Sequence, residues 1–201
     1  MNDSRGVDRR ILRTRIIISE AFLKILPKKC FAEISVVNIA QQANINRSTF
    51  YAHFLDKEDL LENMVNEKFQ LLEQLLAERN SHLGSVPSFN EPDPIFAVLF
   101  EHILEHDEFY RVMLLINPAG NFNIRLNEVI RETFFDRISQ LDREQKVQVP
   151  LDILLDHISF STIGMIHKWI ADHKVCSPHH MALQLTRIAL LGTYKAMGAS
   201  V

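Results

Sequence analysis

Cysteine is scarce in this chain of 201 residues: only Cys30 and Cys176 occur, and no pair has CxxC spacing. This scarcity excludes a disulfide framework and a four-cysteine zinc site, and it predicts a cytoplasmic protein with free thiols. The longest apolar runs, such as residues 95–100 and 112–116, are far shorter than the ~18 residues that a membrane span requires. We therefore expect no membrane partner.

Signals for β-structure are also missing from the sequence. It contains no long alternation of apolar and polar residues, and neither Asn-Gly nor Asp-Gly, the dipeptides that favour tight hairpins. Apolar residues instead recur with three- and four-residue spacing along almost the whole chain, which predicts an all-α protein with about nine helices. The predicted helices cover approximately residues 9–26, 36–43, 47–53, 56–79, 94–106, 107–116, 123–141, 151–173 and 178–197.

Charge is distributed unevenly, although the formal net charge is only −3. Residues 1–54 hold nine Lys or Arg and four Asp or Glu, a net charge of +5, whereas residues 55–201 carry −8. An anionic partner is therefore expected to meet only the first quarter of the chain.

Residues 36–53 have the pattern of two short helices joined by a tight turn at Asn44. Ala40 and Ala43 are small where the two helices must approach each other, and asparagine tolerates the left-handed backbone of such a turn. The outward residues of the second helix are mostly uncharged hydrogen-bond donors, a composition that suits a DNA groove, where phosphates are contacted and base edges are read. These residues are Arg47, Ser48, Thr49, Tyr51 and His53.

The string Phe50-Tyr51-Ala52-His53-Phe54, followed by Lys57-Glu58-Asp59-Leu60, resembles the N-terminal domain of the TetR family of transcriptional regulators. The resemblance extends over roughly residues 8–75. The chain departs from the family pattern at two places. Asn44 stands in the turn between the two helices, where the family usually has glycine, and Cys30 precedes the aromatic Phe31, where the family commonly has glycine.

The resemblance implies double-stranded DNA as the partner and assigns roles to particular residues. Tyr51, His53 and Lys57 would contact DNA phosphates, and Lys57 also begins a predicted helix, whose dipole favours an anion. The remaining candidates, Arg47, Ser48 and Thr49, would face bases or backbone in the major groove.

Residues 157–172, followed by Ser177-Pro178 and a last helix, resemble a branch of the family that is common in Gram-positive bacteria and includes regulators of dihydroxyacetone kinase genes. This resemblance implies a C-terminal body that dimerises and holds an effector. The expected organisation is a helix-turn-helix domain over residues 1–55, a connecting helix over 56–80, and a dimerisation and effector-binding domain over 81–201.

Small residues recur at three- and four-residue steps along the last helix, a pattern that permits close approach between helices. Together with the preceding helix, this stripe predicts a symmetric four-helix interface between two copies of the chain, with packing inside one chain as the alternative. The predicted interface residues are Ser161, Met165, Trp169, Ala182, Thr186, Ala189 and Thr193.

Aromatic and methionine side chains of the middle helices are candidates for an apolar effector pocket, with ordinary core packing as the alternative. His102 and His106 have the spacing of a metal pair, but a solvated acidic face is the preferred interpretation, so we expect no metal or cofactor. The candidate pocket residues are Phe96, Phe100, Phe109, Tyr110, Met113, Phe134, Phe160 and Met165.

The sequence thus predicts a homodimeric, ligand-responsive regulator that binds an inverted-repeat operator through its third helix. Most members of the resembling family repress transcription, so repression is the expected direction. An all-α small-molecule-binding module without DNA activity is the alternative. An enzyme is not expected, because the sequence contains no P-loop, no G-x-G-x-x-G and no G-x-S-x-G.

Overall fold

The computed structural model of the protein describes residues 4–80, 88–116, 121–140 and 148–196, and within these ranges the chain is helical without strands. The all-α class predicted from the spacing of apolar residues is therefore confirmed. A short 3-10 helix, Phe31–Glu33, lies between the first two α-helices, and a π-helical turn, Val112–Ile116, follows the sixth. The α-helices of the described ranges are α1 Ser4–Ile25, α2 Val36–Gln42, α3 Arg47–Tyr51, α4 Lys57–Asn80, α5 Pro94–Glu105, α6 Asp107–Arg111, α7 Phe122–Gln140, α8 Leu151–Ala171 and α9 Pro178–Ala196.

The chain divides into two compact units. The first unit comprises Met1–Lys68 and Arg111–Gly120, and the second comprises Phe69–Tyr110 and Asn121–Val201. Helix α4 contributes to both, since the division falls inside it. The division into two units concerns contacts within the chain only, so the functions expected for residues 1–55, 56–80 and 81–201 stay predictions.

The first unit is built on α1, whose inward face carries Ile18, Phe22 and Ile25, all buried. Helix α1 packs against α2, and α2 packs against α3. Helix α1 ends at Ile25, two residues before Pro27. Proline cannot continue a helix because it lacks the backbone N–H. These contacts matter because α2 and α3 are too short to be stable alone.

In the second unit, α5 packs against α9 and α7 packs against α8. Phe100 of α5 meets Trp169 of α8 edge to face, with ring centroids 5.1 Å apart. The Trp169 indole Nε1 donates a hydrogen bond of 2.8 Å to the carbonyl of Cys176. Because Ser177 Oγ accepts from the backbone N–H of His180 at 3.2 Å, the start of α9 is capped as the Ser177-Pro178 pair predicts.

A buried ion pair joins α7 to the start of α5 in the second unit. The Arg137 guanidinium contacts the Asp93 carboxylate, and both side chains are buried. Asp93 Oδ1 also accepts from Ile95 N at 2.9 Å and so caps α5, while Asp93 N donates to Thr186 Oγ1 of α9 at 2.7 Å. Three helices therefore depend on one polar cluster.

We expect Arg137→Met to lower the free energy of unfolding by about 3–5 kcal/mol, because it leaves the buried Asp93 carboxylate without its ionic partner. Arg131→Met is the matched control, since Arg131 pairs with the exposed Asp156 and its loss should cost under about 1 kcal/mol. Urea unfolding of both variants measures the difference. Equal costs would show that the buried pair contributes no more than the exposed one.

Candidate nucleic-acid interface

The turn between α2 and α3 has a well-defined hydrogen-bonded geometry. Helix α2 starts at Ser35, which exchanges hydrogen bonds with Asn38 in a capping box. At its other end Asn44 adopts φ 51°, and the N–H groups of Asn44 and Ile45 donate to the carbonyls of Gln41 and Ala40 at 3.2 and 3.0 Å. This pair of bonds is a Schellman motif with asparagine in the position usually held by glycine, as the sequence predicts.

Helix α3 exposes one face to solvent because Phe50 occupies the other. Phe50 is 0% exposed and packs its ring against Tyr51 and Phe54, with centroids 5.6 and 5.8 Å away. Arg47 and Ser48 are exposed, as is Tyr51, whereas Thr49 and His53 are half-buried. The structure therefore brings five of the six predicted DNA contacts onto or beside one short helix.

Sequence reasoning missed a polar groove beside this helix. It is lined by Ala40, Gln41, Asn44, Ile45, Asn46 and Thr49. Asn46 precedes α3 without using its side chain as a cap. Its amide and that of Gln41 can each offer one donor and one acceptor to a base edge. The cluster of amide side chains around the turn was the available signal.

Lys57 has an intramolecular role that its sequence position does not reveal. Its Nζ donates to the carbonyls of Phe31 and Ala32 at 2.9 and 3.2 Å and lies 4.8 Å from the centroid of the Phe31 ring. The Phe31 ring also meets Phe22 of α1 edge to face, at 6.2 Å. Residues 31 and 32 thus support Lys57, whose contact with DNA stays a prediction.

Arg15 of α1 reaches the segment that follows α3. Its Nη1 donates to the His53 carbonyl at 3.2 Å and its Nη2 donates to Asn63 Oδ1 at 2.9 Å. The guanidinium carbon lies 4.4 Å from the centroid of the Phe54 ring. Asn63 in turn donates to the backbone carbonyl and carboxylate of Asp59, at 2.7 and 2.8 Å. One cation therefore holds the end of α3 to α4.

The start of α4 is held by two carboxylates. Asp56 Oδ1 accepts from Asp59 N at 2.7 Å, and Asp59 Oδ2 accepts from Leu55 N at 2.8 Å. This arrangement caps the start of α4 through Asp56, while Asp59 bonds the N–H of Leu55, one residue before the cap, in place of the Asp56 N–H of a capping box. Together with Arg15, it orients the turn that carries His53 and Lys57.

The predicted pocket residues do not form one group. Phe96 packs on Phe134, with ring centroids 5.5 Å apart, whereas Phe109 packs on Tyr110 and Phe122. Phe100 contacts Trp169 instead. Met113 is buried in the segment assigned to the first unit, Met165 is half-buried, and Phe160 is 64% exposed.

The predicted dimer residues also separate by burial. Trp169, Ala182 and Thr186 are buried by the chain's own helices, so they cannot contact a second copy in this arrangement. Ser161 and Ala189 are exposed, and the side chain of Thr193 lies outside the described residues. Among the predicted residues, Ser161 and Ala189 therefore stay candidates for an interface.

In the part of the chain that the structure describes, no three His, Cys, Asp or Glu residues are grouped so as to hold a metal ion, and the His102 and His106 rings pack on each other with centroids 4.6 Å apart. Among the described helices, none combines the length and apolar character needed to cross a membrane.

The two parts of the chain match models of known families. Residues 19–64 match the model described as bacterial regulatory proteins of the tetR family, and residues 90–190 match a transcriptional regulator C-terminal region, TetR_C_8. The chain belongs to the TetR family of transcriptional regulators. The recognition made from the Phe-Tyr-x-His-Phe string is therefore confirmed.

Individual relatives agree with this family. The HTH-type transcriptional regulator YxbF of Bacillus subtilis is 38% identical over 88 residues, which cover 43% of this chain and 21% of YxbF. The dhaKLM operon activator DhaS of Lactococcus lactis is 28% identical over 131 residues, covering 64% of this chain and 65% of DhaS. The matches span 21% to 65% of the length of the first curated relatives. The SmeT–triclosan complex shares the fold with a TM-score of 0.65 at 16% identity, covering 89% of this chain and 91% of SmeT.

We expect Arg15→Gln and Arg47→Gln to change two different quantities, protein stability and the salt dependence of DNA binding, although both remove one arginine from the TetR DNA-binding region. Arg15→Gln should lower the free energy of unfolding by about 1.5–3 kcal/mol, because it removes charge-assisted hydrogen bonds, and leave the salt dependence of DNA binding unchanged. Arg47→Gln should leave stability unchanged and reduce the slope of log K against log salt by about 0.9, the value for one phosphate contact.

Urea unfolding and fluorescence titrations of duplex DNA between 50 and 200 mM salt measure the two effects. A reduced slope for Arg15→Gln would mean that the Arg15 side chain leaves its partners His53 and Asn63 and contacts DNA. An unchanged slope for Arg47→Gln would remove Arg47 from the phosphate contacts.

Proposed function

We propose that this TetR-family chain is a homodimeric, ligand-responsive repressor that binds an inverted-repeat operator through α3. The observation that carries the proposal is the exposed polar face of α3, held in place by the buried Phe50 and by Arg15. A helix of five residues is not stable by itself. The contacts of Phe50 and Arg15 hold α3 so that its polar face stays exposed, which favours a binding role over simple packing.

In the proposed complex α3 enters the major groove with its N-terminal end first. Arg47 can donate two hydrogen bonds to a guanine or to a phosphate, and the amides of Asn46 and Gln41 match adenine. Tyr51 and His53 would contact the phosphates beside the groove. Exposed lysines at the end of α1, Lys24, Lys28 and Lys29, would add sequence-independent attraction.

Selection of bound duplexes from a random DNA pool tests the proposal directly. We expect an inverted repeat whose half-site centres are one helical turn, or a multiple of one turn, apart, because a two-fold symmetric dimer presents two α3 helices. Enrichment of a single half-site or a direct repeat would contradict the symmetric dimer. Failure to enrich any sequence would favour the alternative, an all-α binding module without DNA activity.

An exposed stripe on α8 supports the proposed dimer. Ile153, His157, Phe160, Gly164 and His167 follow steps of four and three residues and are all exposed. Phe160 is 64% exposed and Ile153 is 59% exposed, which is unusual for large apolar side chains on one face. A β-carbon on Gly164 would meet nothing within 4 Å, so a second helix can approach closely at that position.

The spacing of the α8 stripe is the one expected in a helix-helix interface. Spacing of four and three residues is that of a coiled-coil seam, in which each side chain enters a gap on the partner helix. On α9, Ile188 and Leu190 are also exposed apolar residues, and Ala189 lies between them. We therefore propose that these residues meet their equivalents in a second copy, in place of the buried Trp169 and Thr186.

We expect Phe160→Arg to convert the dimer into monomers, because two like charges would face each other across the symmetry axis. Ile124→Arg on α7 is the matched control, since Ile124 is 59% exposed on a helix outside the proposed interface. Sedimentation at micromolar concentration measures the mass of both variants. A dimer mass for Phe160→Arg, or monomers for both, would contradict the proposed surface.

The ligand response is proposed as a population shift between two arrangements of the dimer. An effector changes DNA affinity only if it binds the two arrangements unequally. SmeT, which has the same fold, is found with triclosan, and this supports a small-molecule effector here as well. Repression would follow from occupation of the operator, although the relative DhaS is named an activator.

A further inference from the structure

Tyr110 of α6 carries a buried hydroxyl with no hydrogen-bond partner in the part of the chain that the structure describes. The residue is 0% exposed. Its ring contacts His102, Phe109 and Phe122, with centroids 5.7, 5.6 and 5.8 Å away. All of these residues belong to the second unit.

An unpaired hydroxyl in such a place calls for a physical reason. Nearly all buried polar groups in proteins are hydrogen-bonded, because a group withdrawn from water without a new partner costs free energy. A phenylalanine would fill the same space among these rings without that cost. The hydroxyl at this position therefore points to a partner from outside the chain.

The surroundings define the chemistry of that partner. Burial raises the pKa of the Tyr110 hydroxyl, which therefore stays protonated and donates a hydrogen bond. The ring neighbours given above include no lysine or arginine, whose permanent positive charge would favour a carboxylate ligand. Aromatic rings pack edge to face at distances like those found here, which suits a flat aromatic molecule.

We propose that the Tyr110 hydroxyl is the polar anchor of the effector site and donates to a neutral oxygen on a small aromatic molecule, such as an aryl ketone. The inference rests on the proposed ligand response and specifies the class of ligand. His102, Phe109 and Phe122 would form its aromatic walls. A ligand enters this cluster by moving the rings apart.

The position of Tyr110 in the chain gives such a ligand a route to the DNA-binding unit. Tyr110 is the last residue of this segment of the second unit, and the next residue, Arg111, belongs to the first. The chain then forms the π-helical turn Val112–Ile116, a type of turn that is often found at functional sites. A ligand that holds α6 would therefore act on the segment that connects the two units.

Acetophenone and α-methylstyrene are suitable probes, because they differ only in the replacement of a carbonyl oxygen by a CH₂ group. Burial favours the more apolar alkene in any apolar site, so the hydrogen bond is measured by the change in preference between two proteins. We expect Tyr110→Phe, which keeps the ring, to lower the affinity for acetophenone relative to that for α-methylstyrene about fivefold or more, since only the ketone accepts a hydrogen bond from the hydroxyl and the variant loses this part of the preference. Dissociation constants from ligand-observed NMR titrations measure it, and Tyr51→Phe, which removes an exposed hydroxyl, should retain it.

Two results would overturn the inference: no binding of acetophenone, or an unchanged ratio of the two affinities in Tyr110→Phe. DNA selection without ligand tests the proposed regulator separately, so the two proposals can fail independently. Loss of the preference in Tyr110→Phe together with successful DNA selection would support both.

Discussion

The proposed DNA-binding surface depends on the burial of one side chain, that of Phe50. Helix α3 has only five residues, far fewer than the ~12–15 at which an isolated helix becomes marginally stable. Phe50 is buried completely and packs its ring against Tyr51 and Phe54. Since Phe50 points inward, Ser48, two positions earlier, lies on the opposite side of the helix and points outward. The proposed recognition face thus depends on hydrophobic packing.

Positive charge in this region serves two purposes. Exposed residues such as Arg47 are available to an anion, whereas Arg15 and Lys57 are held by backbone carbonyls and aromatic rings. Arg15 is one of the nine cations in residues 1–54, so the net charge of +5 over these residues overstates the charge that is available to an anion. Arg15 nevertheless supports the proposed interface, because it holds the turn that carries His53.

Two buried polar groups of the second unit differ in their hydrogen-bond partners. Asp93 is fully satisfied by Arg137, Thr186 and the N–H of Ile95, and it joins three helices. Tyr110 lacks such a partner among the described residues. A satisfied cluster stabilises one arrangement of helices, whereas an unsatisfied hydroxyl gains from a ligand. Within the second unit, Asp93 therefore has a structural role, whereas Tyr110 has the ligand-binding role proposed above.

The sequence alone determined the features that depend on residues within about four positions of each other. The all-α class, the helix starts at Ser35, Asp56 and Ser177, and the left-handed Asn44 follow from local hydrogen bonding, and the Phe-Tyr-x-His-Phe string determined the family. Only the tertiary structure decided what covers each helical face. Spacing places residues on a common stripe but carries no information on the element packed against it, so Thr186 proved to be interior and Phe160 exposed. Lys57 likewise finds carbonyl partners 26 and 25 residues earlier in the chain, a distance over which only folding brings groups together.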